Sequence, residues 1–340
     1  MGRLTCGLTF AGGELLFLLL LAATAYALGR RLCRRLPILG AAEPIAVSTT
    51  LGLVALAHLA FLLALAGRLS RGPLLLVFAA IHLACFGVWR ELAADLRRRH
   101  LLGGLIGLVA GIPLFLLALY PPTAFDATLY HLPFARAFAA SGRLPFLPDL
   151  RFPVFPQLDE TLFAIGLLFA GDVAAHLVQL LSTLLTAALL VAWGRRAFSS
   201  RAGWLAAAAF LGNPIAIHLG TSAYVEAGLT LFGTASLYCA WRWSEDEGER
   251  PWLVLAAVFA ACAADVKYLG LFFVAAIGVW ILCRRAGGER RLRDLLLFSA
   301  IALLVLAPWY GRIVYYTGNP VFPFMERVFG RSSWAPSIAR

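Results

Sequence analysis

Apolar runs of about 20 residues, each followed by a short cluster of arginines, recur along this chain and leave few folds open. A run of that length crosses the hydrocarbon core of a bilayer as a helix. No water reaches that core, so every backbone N–H and C=O must be paired within its own segment, which a helix achieves alone. Composition agrees. Of the 340 residues 61% are hydrophobic and 14% charged, with a mean hydropathy of +0.83, too little polar surface to cover a soluble core of this size. The fold class is therefore all-α, a polytopic membrane protein.

About ten crossings are expected, over approximately 8–28, 45–66, 73–89, 101–119, 173–193, 203–219, 223–243, 252–266, 268–284 and 294–309. The eighth and ninth abut at Asp265–Lys267, as in a hairpin or a broken helix. The run at 158–171 is too short to span and reads as interfacial or re-entrant. Ala25-Tyr26-Ala27 after Leu15–Leu21 resembles a signal-peptide cleavage site. Arg30, Arg31, Arg34 and Arg35 follow at once, a stop-transfer pattern, so the first run reads as a retained helix.

A net charge of +11 raises the question of nucleic acid. The arginines flank apolar runs, however, and form no basic face interleaved with aromatics, so nucleic acid is set aside. With the N-terminus outside, 18 of the 28 arginines fall in short inner loops, which is the orientation that the positive-inside rule selects. The long loop 120–157 and the stretch from Tyr310 then lie outside, rich in proline, aromatics and isolated charges. Function is expected on that outer face. The six cysteines show no CxxC and no metal-ligand spacing, which argues against a disulfide framework.

Five polar clusters need a reason. In Phe125-Asp126-Ala127-Thr128-Leu129-Tyr130-His131-Leu132-Pro133, a carboxylate sits just past a Pro121-Pro122 break with a histidine five residues on. Asp126 suits a general base or a metal ligand, and equally an N-cap. From Pro133 an amphipathic stretch puts Phe134 and Phe138 on one side and Arg136 off it. Phe155-Pro156-Gln157-Leu158-Asp159-Glu160 opens an apolar segment with two carboxylates. A helix dipole favours acids there, but a carboxylate pair at membrane depth is costly unless hydrated or paired.

Asn213-Pro214 ends the sixth run and Glu226 opens the seventh, either solvated at the interface or chemically engaged. Lys267, beside Tyr268, is the chain's one lysine. Its compact ammonium suits a phosphate; snorkelling to the interface is the plainer account. Pro308-Trp309-Tyr310-Gly311-Arg312 and Thr317-Gly318-Asn319-Pro320 close the set. There an aromatic belt and an arginine poised for phosphate or sugar are both open.

In their order and spacing these clusters resemble the GT-C superfamily of membrane glycosyltransferases, above all the bacterial branch of aminoarabinose and mannosyl transferases that use polyprenyl-phosphate sugars. The resemblance covers roughly 101–325 and implies a seven-helix core with a large outer loop after its first helix. Residues 1–100 then form a three-helix N-terminal extension, 101–310 the core with its outer loop at 120–157 carrying amphipathic helices, and 311–340 an extracytoplasmic segment. Relatives usually continue further, so a short member or a fragment is expected.

By resemblance, Asp126 is the acceptor-activating base, Glu226 a second catalytic acid, and Lys267 the cation near the donor phosphate. Tyr130, His131, Asp159, Glu160, Tyr268 and Arg312 complete the expected substrate-binding set. The resemblance implies inversion at the anomeric carbon. No cofactor is assigned; a divalent metal through Asp126 and His131 is an open option. Expected partners are a polyprenyl-phosphate-linked sugar donor, a lipid, glycan or protein acceptor, and the bilayer. The expected location is a bacterial cytoplasmic (inner) membrane with the active face towards the periplasm. A transporter or flippase of lipid-linked sugars and an O-antigen-type polymerase or ligase are the alternatives.

Overall fold

The computed structural model describes residues 2–34, 42–90, 111–245, 250–284 and 287–330. Helices dominate these residues, and no strand occurs among them. They are α1 (Gly2–Leu32), α2 (Ala42–Leu65), α3 (Arg71–Ala84), α4 (Leu132–Ser141), α5 (Leu158–Phe169), α6 (Ala174–Ala197), α7 (Ser200–Leu211), α8 (Pro214–Gly220), α9 (Glu226–Glu245), α10 (Arg250–Val266), α11 (Leu271–Cys283), α12 (Gly288–Thr317) and α13 (Glu326–Phe329). Shorter helical pieces cover 86–90 and 111–118. Most of the span expected over 101–119 and the whole 331–340 segment lie outside the described residues.

Four helices are long and apolar enough to cross a membrane: Cys6–Leu32, Glu43–Leu65, Ala174–Ala197 and Gly288–Thr317. A fifth span results if α7 and α8, bent by 70° at their junction, count together. The ten crossings and the seven-helix core expected from sequence go beyond this. Among the described residues, helices also occupy the places expected at 73–89, 223–243, 252–266 and 268–284, with α3 and the Tyr268–Cys283 stretch short and apolar. Leucines at 15, 16, 19, 62, 65, 75, 76, 83, 303 and 304 stand exposed on these helices, an apolar surface that suits lipid rather than water.

The bend between α7 and α8 has a local cause. Asn213 caps α8, its Oδ1 accepting from the Ile215 N–H at 2.9 Å, and Pro214 takes the first helical position, where its missing N–H costs nothing. Pro308 behaves differently. The last span was expected over approximately 294–309, and α12 runs through Pro308 to Thr317. Trp309 and Ile313, both buried, continue the packed face beyond the proline, and that burial outweighs one lost helix bond.

The chain divides into two units: residues 1–144 with 159–231, and 145–158 with 232–340. In the first, α1 packs on α2 and α2 on α6. Gly29 and Gly52 let α1 and α2 approach closely, since a methyl at either would overlap the other helix's backbone. In the second, α10, α11 and α12 pack together. Arg242 and Arg284 there lie over the rings of Trp252 and Trp243, at 4.2 and 4.3 Å.

Candidate functional site

In the first unit the helix that follows Pro121-Pro122 begins at residue 125 and includes a π-helical turn over Ala127–His131. Such turns are rare and re-aim side chains. Asp126 has helical dihedrals (φ −65°, ψ −34°) and makes no side-chain capping bond. The capping explanation for this residue therefore does not hold. Its carboxylate, half-buried, accepts a hydrogen bond from the phenol of Tyr130, one turn on. Burial, then that bond, then the charges of Asp126, Glu226 and Glu160 push the phenol far above its usual range. Tyr130 therefore stays a donor and fixes the Asp126 carboxylate.

His131 is buried, its ring 4.2 Å from that of Tyr130, and its Nδ1 lies 2.6 Å from Oε1 of Glu160. The other Glu160 oxygen, also buried, has no hydrogen-bond partner. The amphipathic reading of the next turn is borne out. Phe134 and Phe138 are fully buried against each other, whereas Arg136 is exposed and grips Asp172, Nε at 3.3 Å and Nη2 at 2.5 Å.

Asp159 and Glu160 are buried in the first turn of α5. Oδ2 of Asp159 accepts from Nε2 of Gln179 on α6 at 2.8 Å. Burial raises the Asp159 acid to about 8, and the charges of Glu160 and Glu226 push the same way, against the Gln179 bond. Glu226 opens α9, half-buried, with Oε2 accepting from the Val225 N–H at 3.2 Å. Asp126, Tyr130, His131, Asp159, Glu160 and Glu226 thus form one acidic cluster within the first unit. Among the described residues no three His, Cys, Asp or Glu side chains are grouped to hold a metal ion.

The second unit carries Lys267, Tyr268 and Arg312. Lys267 is half-buried and extended (φ −157°, ψ 144°) at the break between α10 and a single 3-10 turn, Tyr268–Gly270. The Tyr268 hydroxyl donates to the Phe322 carbonyl at 2.8 Å. Arg312 donates Nη1 to Oε1 of Gln157 at 2.9 Å and Nη2 to the Pro145 carbonyl at 2.8 Å. Its guanidinium also lies 5.5 Å from the Tyr316 ring.

The Thr317-Gly318-Asn319-Pro320 stretch is a self-bonded turn. Asn319 Oδ1 accepts from the Val321 N–H at 2.9 Å, and its Nδ2 donates to the Phe324 carbonyl at 2.7 Å. Arg312, Tyr268 and Asn319 therefore all hold backbone in place. The sequence marks Gln157 only as a member of the Phe155–Glu160 cluster and leaves Gln179 unmarked. Their one signal is an amide at the edge or in the middle of an apolar run, which must find partners there.

Residues 158–311 match the model of the dolichyl-phosphate-mannose-protein mannosyltransferase family. An uncharacterised protein of Shigella flexneri is 34% identical over 118 residues, 34% of this chain and 58% of that protein. The match thus spans little more than half the length of that relative. No solved structure matches. The matched stretch runs from the first residue of α5 nearly to the end of α12, taking in Asp159, Glu160, Glu226, Lys267 and Tyr268. Over these residues the chain is similar to that mannosyltransferase family, and its long apolar helices mark it as a membrane protein.

Proposed function

We propose that the protein moves a sugar from a polyprenyl-phosphate carrier to an acceptor hydroxyl on the extracytoplasmic face of a bacterial inner membrane, with inversion at the anomeric carbon. The acceptor hydroxyl attacks that carbon and gives its proton to Asp126. The bond between the carbon and the phosphate oxygen breaks, and the polyprenyl phosphate leaves with the electron pair. Positioned proton transfer of this kind contributes roughly 10²- to 10⁴-fold. The observation that carries the reading is the state of Asp126. It is not spent on a cap, is half-exposed, is oriented by Tyr130, and lies in a cluster with Glu160 and Glu226.

Lys267 takes the leaving phosphate as a compact cation. Arg312, whose two terminal nitrogens already donate within the second unit, holds the Pro145–Gln157 loop.

A second reading has one observation in its favour. The 70° break between α7 and α8 is the kind of discontinuous helix that transporters use. Membranes containing the wild type or Lys267→Ala, given a radiolabelled polyprenyl-phosphate sugar and a mixed acceptor extract, separate the two. Transfer by the wild type, with loss in Lys267→Ala, supports the transferase. Movement of the labelled lipid between leaflets with no transferred sugar supports a flippase instead.

A further inference from the structure

Gln179 lies in the second turn of a 24-residue apolar helix, fully buried, with both ends of its side-chain amide in use. Nε2 donates to Oδ2 of Asp159 in the first turn of α5 (2.8 Å). Oε1 accepts from the Gly228 N–H in the first turn of α9 (3.2 Å). The first bond that α9 makes to its own entry is Leu229 N–H to the Val225 carbonyl. The Gly228 N–H is thus one of the donors that a helix start leaves without a helical partner. Gly228 also brings its backbone against the Asp159 carboxylate, since a methyl there would overlap Oδ2. One side chain therefore ties together two helix starts, and each start carries a cluster acid on a neighbouring residue, Glu160 beside Asp159 and Glu226 two before Gly228.

We propose that Gln179 is a positioning residue, which fixes the separation of Glu160 and Glu226 and so holds both carboxylates against Tyr130. This rests on the transferase reading above. The amide fits because it must donate on one side and accept on the other. A leucine would fill the volume and satisfy neither. Glutamate keeps both bonds while it shares one proton with Asp159, and loses the Asp159 bond once both groups ionise. Glu160 and Glu226, the other acids whose charges bear on Asp159, are unchanged in either variant.

The test compares Gln179→Leu and Gln179→Glu with the wild type in sugar transfer from a polyprenyl-phosphate donor and in hydrogen–deuterium exchange of the purified protein. Gln179→Leu should lower kcat roughly tenfold with KM for the donor nearly unchanged, as small misplacements of reacting groups do. It should also speed exchange in the peptide over 226–231. Gln179→Glu should turn over like the wild type at pH 6 and fall away by pH 9. Wild-type turnover in Gln179→Leu overturns the proposal. So does a Gln179→Glu variant as impaired at pH 6 as Gln179→Leu, which would mean that side-chain fit alone matters. If the wild type transfers nothing, the transferase reading fails. The bracket then stands or falls on exchange: unchanged protection over 226–231 in Gln179→Leu refutes it.

Discussion

The first unit gathers acids and the second gathers a cation and aromatics, and the two treat their polar groups in opposite ways. Around Tyr130, Asp126 and Glu226 remain half-buried. Around Arg312, the guanidinium is consumed by Gln157, the Pro145 carbonyl and the Tyr316 ring. Charge type alone does not separate chemistry from architecture. What separates them is whether the group's bonding capacity is already spent inside the fold.

That comparison breaks most readily at Asp126. Asp126→Asn keeps the Tyr130 hydrogen bond but removes the base, and transfer should fall by roughly 10²- to 10⁴-fold while the protein inserts normally. Arg312→Ala should act on stability first. Two hydrogen bonds from a charged donor are lost, a cost of about 3 kcal/mol, read as a lower midpoint of thermal unfolding in detergent. Gly228→Ala should cost about 1–3 kcal/mol by overpacking, because the added methyl meets the Asp159 carboxylate.

A separate effect is a change of slope with pH. Burial holds the Asp159 acid at about 8 against an ordinary value of 3.8. Between those values the folded protein keeps a proton that the unfolded chain has released. Stability therefore falls as pH rises through that window and levels off above it. Asp159→Asn should remove this contribution, so its melting temperature gains on the wild type from pH 5 to pH 8. A constant difference across that range would place Asp159 outside the buried cluster.

Sequence made the helical class and most helix positions legible, because apolar length reports directly on burial in lipid. The last helix runs past the expected 294–309 span because the burial of Trp309 and Ile313 carries it through Pro308. The acids of the cluster were legible singly: Asp126 and His131 by their place after a proline break, Asp159 and Glu160 by opening an apolar run. Their assembly was not, since it depends on the π-helical turn over Ala127–His131 and on Gln179, neither of which leaves a periodic signal. Arg312 looked free for a phosphate because its partners, Gln157 and Pro145, lie over 150 residues away in sequence.

The measurement that bears most directly on the account sets transfer beside melting temperature for Asp126→Asn and Arg312→Ala in one preparation. Asp126→Asn should melt like the wild type and transfer sugar at least roughly 10²-fold more slowly, whereas Arg312→Ala should melt lower. An Asp126→Asn protein that transfers sugar at the wild-type rate would contradict it.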